Sequence, residues 1–261
     1  MTDLVKTENS SLAVTSQETW GVQNVDLSDI LIPRVMMAQG MSKAVAAEKC
    51  QTGDLLRSTD DKVLAAKGQA VEFIPLSTFK TWVISEQKGQ KFEYRREEPY
   101  TPANQDAPLE WQEDGKTFRR DRQLSFYILL TDDVKREKAA LAKAAGGEFP
   151  DPDDALLPLV LSFKRTSYTA GKELVTHFSK AAYFNVPPAS GMFNLSCEKV
   201  SNDKGTFYTF AVARSGKTDP VDLAIARRWF DYINGNKVKV DEEGELEEVA
   251  QHAAPVEPGN Y

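Results

Sequence analysis

The sequence predicts a mainly β, α+β fold: an OB-like antiparallel β-barrel with inserted helices and long loops. Three observations lead there. Short runs rich in Val, Ile, Phe, Trp and Tyr outnumber helical runs, pairs of such runs flank polar glycine-containing connections as hairpins do, and no βαβ series appears. With 261 residues, 41% of them hydrophobic, the chain can bury one substantial core. Three parts follow: a flexible arm over 1–25, an OB-like body over 26–235 and a disordered acidic tail over 236–261.

Taken in order, the polar, aperiodic start forms the arm. Ile30 to Met37 is a strand that Pro33 confines to an edge or bulge. Ser42 caps a short helix over Lys43 to Glu48, and Gly53-Asp54 turns the chain into Leu55-Leu56. Ala70 to Leu76 is the next strand. Phe79 to Ser85 and Lys91 to Arg96 then make a hairpin. Three prolines between Glu97 and Gly115 imply a long surface loop. Gln123 to Leu130 has the continuous apolar character of a central strand buried on both faces. Asp132 to Ala145 is a helix that stops at Gly146-Gly147, and Glu148 to Asp154 is an acidic connector. A strand at Leu157 to Arg165 precedes an amphipathic helix over Ser167 to Phe184, which Pro187-Pro188 ends. Met192 to Val200 and Thr206 to Ala213 form a second hairpin. A last helix runs from Asp219-Pro220 to Ile233.

Catalytic patterns fail one by one, so the sequence reads as a binding protein and not an enzyme, with no cofactor and no metal. Arg214 to Thr218 (RSGKT) resembles a phosphate loop, but Ala211 stands where the first glycine is needed, which leaves a solvated turn. Pro150-Asp151 with Lys164 resembles a metal-nuclease pattern, but Ser162 replaces the second acid. His177 on the amphipathic helix reads as a packed or exposed histidine rather than a base. Cys50 and Cys197 are too few for a disulfide framework or a zinc site and suit a reducing cytoplasm. The opening residues have neither the basic stretch nor the apolar stretch of a secretory leader, and no 18-residue apolar run occurs; the expected location is the cytoplasm, the host's if the protein is viral.

Charge is unevenly placed. The formal net charge is −7, and Asp241, Glu242, Glu243, Glu245, Glu247, Glu248 and Glu257 account for all of it. Within the neutral remainder, residues 156–217 carry eight Lys or Arg against three acids, together with nine aromatics. Single-stranded nucleic acid is held by cations on phosphates and rings under bases, the latter at about 1–3 kcal/mol per base. Residues of both types alternate along several strands. Lys80 and Trp82 share a face through the period of two. Lys91 opens a strand on which Phe92, Tyr94 and Arg96 share a face. Arg119, Arg120 and Arg122 precede the central strand, and Lys164, Arg165 and Tyr168 lie where a strand meets a helix. Strand aromatics are more often core and scattered cations more often plain solvation. Repetition in three places favours a surface. The acidic tail, through Asp241, Glu242, Glu243, Glu245, Glu247, Glu248 and the terminal Tyr261, reads as a regulator or docking peptide.

The order IPRVMMAQGMS, QTGDLL, VEFIPL, FKTW, LSFKRTSYTAGKEL and FNLSCEKVSNDKGTFYTFAV, with an acidic C-terminus, resembles the single-stranded DNA-binding proteins of tailed bacteriophages over roughly residues 30–215. The resemblance implies an OB-fold that coats single-stranded DNA in phage replication and recombination, often as a dimer. It also implies a tail that recruits replication proteins such as polymerase and helicase-primase. Tyr261 departs from it, standing where such tails frequently carry Phe. The competing expectation is a non-catalytic phage protein-interaction or virion-associated structural protein whose aromatics are core. Both readings turn on whether rings and cations emerge on one accessible face.

Overall fold

The computed structural model describes residues 31–40, 42–147, 157–202, 205–235 and 239–240. The arm, the connector Glu148 to Asp154 and the acidic tail from Asp241 lie outside the described residues.

Pro33 interrupts the first run, giving β1 (Leu31–Ile32) and β2 (Arg34–Met37). α1 (Lys43–Ala46) is shorter than expected, and its N-cap Ser42 turns its hydroxyl to the Gln39 carbonyl instead of capping the helix. β3 (Leu55–Arg57) and β4 (Val63–Ala65) follow, the latter without a clear sequence signal. The two strands expected between Ala70 and Ser85 are one, β5 (Ala70–Lys88), roughly 60 Å long at about 3.3 Å per residue. A bulge between Pro75 and Ser77 explains the apparent break, because a proline within a strand is accommodated where the ladder is interrupted. β6 (Lys91–Pro99) completes the expected hairpin.

The supposed long loop holds a further strand, β7 (Glu110–Glu113), joined to β8 (Lys116–Leu130) through Asp114-Gly115. Both turn residues have positive φ, 51° and 73°, the conformation that favours Asp-Gly in a two-residue hairpin. α2 (Thr131–Ala145), β9 (Leu159–Lys164), α3 (Tyr168–Tyr183), β10 (Gly191–Asn202), β11 (Gly205–Lys217) and α4 (Pro220–Gly235) match the expected elements closely. Asp219 Oδ1 accepts from the Val221 and Asp222 amides at 2.8 and 2.9 Å, which caps α4. β12 (Lys239–Val240) pairs with β1 in parallel.

Ten strands form one mixed sheet in the order β11-β10-β5-β8-β9-β2-β3-β4, with β6 on the far half of β5 and β7 on the far half of β8. This corrects the barrel expectation in two ways. The β2–β9 pair is parallel, and among the described residues no strand pairing joins the ends of the path. β2 has only four residues, and both its edges are already taken by β3 and β9, so β11 cannot add to it. The Gln39 amide bridges the gap instead, donating to the Tyr208 carbonyl at 3.2 Å and accepting from the Tyr208 N–H at 3.4 Å. The result is a curled, open sheet.

Alternation along β8 sends side chains to two cores. Leu124, Phe126, Ile128 and Leu130 join Phe163, Phe193, Phe210 and Leu174 of α3 on one face. α3 sits so close that a Cβ on Gly171 would lie 2.9 Å from Phe163. Leu129 joins Ile74, Leu76, Val134 of α2 and Ile225, Ala226 and Ile233 of α4 on the other face. The central strand is therefore buried on both faces, as expected. Beyond these cores β6, β5, β8 and β7 continue as a four-stranded arm, and six of the eight candidate cations lie on it, Lys164 and Arg165 being the exceptions.

Candidate nucleic-acid interface

Register decides which face of the arm each side chain takes. Trp82 pairs with Arg122, Ile84 with Arg120, Lys80 with Leu124 and Trp111 with Phe118. Lys80, Trp82, Arg120, Arg122, Trp111 and Phe118 thus share the face that continues from the α3 side. On it they form a ladder in which cations and rings alternate. Lys80 Nζ lies 4.2 Å from the Tyr100 ring centre. The Tyr100 and Trp82 rings are 5.1 Å apart. The Arg122 guanidinium is 5.5 Å from Trp82 and 6.0 Å from Tyr100, and that of Arg120 is 5.7 Å from Trp82 and 4.5 Å from Trp111. Trp111 in turn stacks on Phe118 at 5.4 Å. Such cation–ring contacts contribute from about 0.5 kcal/mol when exposed to about 2 when desolvated, and hold the charges in place.

α3 extends the ladder. Tyr168 sits near Arg122 and Tyr100; burial pushes its hydroxyl above the ordinary pKa while the Arg122 charge opposes this. Lys172 Nζ is 5.5 Å from the Tyr168 ring. Among the described residues no carboxylate lies within ion-pairing distance of Lys80, Arg120, Arg122 or Lys172, and Arg120 Nε is buried without a hydrogen-bond partner. Arg96 shares this face but is neutralised by Glu98 at 2.7 Å.

The opposite face of the arm is electrically closed. Arg119 and Arg165 share Asp121 at 2.9 and 2.8 Å. Burial alone would raise the Asp121 pKa, but the Arg165 and Arg119 charges outweigh it and hold the carboxyl below its usual range. Arg119 also covers the Phe92 ring at 4.8 Å. Farther in, Arg34 donates to Glu97 at 2.7 Å and to the Ser162 hydroxyl at 2.9 Å, Ser162 contacts Ser125 at 2.9 Å, and Gln123 donates to Glu97 at 3.2 Å.

Several expected site residues are corrected by these positions. Trp82 is fully buried at 0% exposure, so it offers no open face to a base; Tyr100, Arg120 and Arg122 cover it. Tyr94, 8% exposed, packs on Val83 in a small core of its own. Tyr94 and Arg96 do not share a face: a bulge between Ile84 and Ser85 puts Tyr94 opposite Ser85 and Arg96 opposite Ile84. Lys164 is buried, on the face opposite Trp82. Arg119 and Arg165 spend their charge on Asp121. Lys91 pairs with Lys88 and is exposed at the hairpin tip, beyond the end of the ladder, and Phe92 lies half-buried under Arg119. Lys80, Arg120, Arg122 and Tyr168 lie along the ladder. Sequence reasoning missed Tyr100, Trp111 and Lys172. The Asp114-Gly115 turn was the signal that would have placed Trp111 on a strand.

The catalytic look-alikes take structural roles. Arg214 to Lys217 continue β11 instead of forming the expected turn, and the Thr218 hydroxyl donates to the Ala189 carbonyl at 2.5 Å. His177 Nε2 lies 2.8 Å from the Pro188 carbonyl, and its ring packs on Phe193. Burial pushes the Cys197 thiol up to about 12, so it is held as a neutral thiol. Among the described residues no group of three or more His, Cys, Asp or Glu converges as metal ligands would, and no helix is long and apolar enough to cross a membrane.

Fold and surface together define a mainly β protein with an open mixed sheet and a face on which Lys80, Arg120, Arg122 and Lys172 lie among rings with no carboxylate partner among the described residues. The family model described as Pam3 phage gp34-like protein matches residues 6–239, most of the chain, and the chain belongs to that family, a bacteriophage one. No match was found among curated proteins or among solved structures.

Proposed function

We propose that the protein binds single-stranded DNA with little sequence preference, in phage replication or recombination. The observation that carries this reading is the ladder: Lys80, Arg120, Arg122 and Lys172 lack carboxylate partners among the described residues and interleave with Tyr100, Trp111 and Tyr168. Cations of this kind neutralise phosphates, and half-buried rings beside them accept stacked bases. Trp82 serves as the platform on which the outer members rest. In this reading the curled sheet is used as an OB-like surface, and the protein works alone or as a dimer. The acidic residues Asp241 to Glu248 and Tyr261 dock partner replication proteins.

A titration with poly-dT at several salt concentrations tests it. Affinity for single strands should exceed that for duplex and fall with salt at about 0.7 in log–log slope per phosphate neutralised. Equal or tighter duplex binding overturns the reading. Deleting 241–261 should leave DNA binding intact or tighten it, since seven negative charges are removed, while partner recruitment is lost.

A phage protein-interaction or virion-associated structural role is the second reading. It draws on the burial of Trp82 and Tyr94 and on the adjacent rings Tyr183 and Phe184, 84% and 70% exposed at the end of α3. A pull-down whose partners survive nuclease treatment favours it.

A further inference from the structure

Trp82 is the central ring of the ladder and is wholly covered, and one short segment provides much of the cover. Residues 100–109 leave β6 and cross back to β8. Their ends are held by main-chain bonds, Tyr100 N–H to the Lys80 carbonyl at 3.1 Å and Arg120 N–H to the Leu109 carbonyl at 2.8 Å. Between these ends Asn104 acts as a clasp. Its Oδ1 accepts from the Trp82 indole Nε1–H at 3.2 Å and from the Thr101 amide at 2.8 Å, and its Nδ2 donates to the Pro99 carbonyl at 2.9 Å. Apart from Tyr100, Thr101, Asn104 and Ala107, the segment is exposed: Pro102, Ala103, Gln105, Asp106, Pro108 and Leu109 all face solvent. Its attachment over the ring rests on few bonds, all of which water can replace.

Building on the single-stranded DNA reading, we infer that residues 100–109 are a strap, clasped by Asn104, that closes over Trp82 in the free protein and lifts to let a base take the place of the Tyr100 ring. The exchange is chemically even, one aromatic face leaving Trp82 as another arrives, while the flanking Arg120 and Arg122 remain to meet the phosphates. Because only the open form presents all the rings, apparent affinity is the intrinsic affinity reduced by the fraction open.

Asn104→Ala removes the clasp and substitutes none of the cations or rings. Oligo-dT binding by the full chain should tighten on the order of tenfold, the equivalent of one or two hydrogen bonds no longer holding the closed form. In a background where the other tryptophans are Phe, acrylamide should reach Trp82 more readily in this variant. In the same background saturating oligo-dT should quench the Trp82 emission, and in the wild type it should remove the protection of the Trp82 indole N–H against hydrogen exchange. Binding with the indole N–H still protected overturns the strap while leaving the DNA reading standing, as does an Asn104→Ala variant with unchanged or weaker affinity and unaltered melting. Absence of any oligo-dT binding by the wild type removes the reading on which the strap rests.

Discussion

The two faces of the β6-β5-β8-β7 arm are built from the same residue types and end in opposite electrical states. Arg119 and Arg120 are sequence neighbours, yet Arg119 points to the side where Asp121 and Arg165 wait, and Arg120 points to the side where the rings of Trp82 and Trp111 meet it. On the first side every described arginine is matched: Arg119 and Arg165 by Asp121, Arg34 by Glu97. On the second, Lys80, Arg120 and Arg122 are held by π faces, which orient a cation without neutralising it. One face is therefore a seam of ion pairs, and on the other Lys80, Arg120 and Arg122 have no carboxylate partner among the described residues. A count of arginines cannot make this distinction; strand parity makes it.

The largest test breaks the seam. Arg34 is 4% and Glu97 14% exposed at the side chain, so Glu97→Ala strips a buried guanidinium of a carboxylate at 2.7 Å. The expected loss is about 3–5 kcal/mol in urea denaturation. A loss below about 1 kcal/mol would mean that this face is no more structural than an exposed ion pair.

A second test sets the faces against each other. Arg120→Ala with Arg122→Ala should weaken oligo-dT binding by about 1–3 kcal/mol and lower the salt slope by about 1.4, two phosphates' worth. Arg119→Ala with Arg165→Ala should leave the slope unchanged, since those charges are already compensated. If the second pair lowers the slope as much as the first, the contrast between the faces is void.

The smallest effect is expected at Asp121. Its carboxyl titrates below the usual range in the folded protein, so the stability it contributes is complete above the unfolded value, near pH 4, and is lost as pH falls through the folded value. Asp121→Asn should cost about 1 kcal/mol or less at neutral pH and should flatten the acid limb of a stability–pH profile. A variant with an unchanged acid limb would assign that limb to other carboxylates.

Much of the fold was legible because local chemistry and tertiary structure agree where elements are strongly patterned. Asp219-Pro220 opens α4, Gly146 ends α2, Pro33 parts β1 from β2, and the apolar run before Leu130 is the central strand. Legibility failed where the signal was read as loop or where one residue changed the count. Prolines around residues 99–108 concealed β7, although Asp114-Gly115 marked its turn. The residue inserted at the Ile84/Ser85 bulge separated Tyr94 from Arg96, because a shift of one position sends every later side chain to the other face. Of the candidate ladder, Lys80, Arg120, Arg122 and Tyr168 were among the residues singled out from the sequence; Trp82 was expected to be exposed and is buried, and Tyr100 and Lys172 were not singled out.

By itself the sequence determined the mainly β class, the order of most elements, the asymmetry of charge between body and tail and the abundance of cation–aromatic pairs. These are properties of composition and of spacing within ten or twenty residues. The tertiary structure alone decided that the sheet stays open, that Trp82 and Tyr94 are covered and that Arg119 is neutralised while Arg120 is not. Those outcomes depend on strand register and on partners such as Asp121 with Arg165 or Lys80 with Tyr100, brought together from distant parts of the chain, and no local pattern encodes which face a neighbour will occupy.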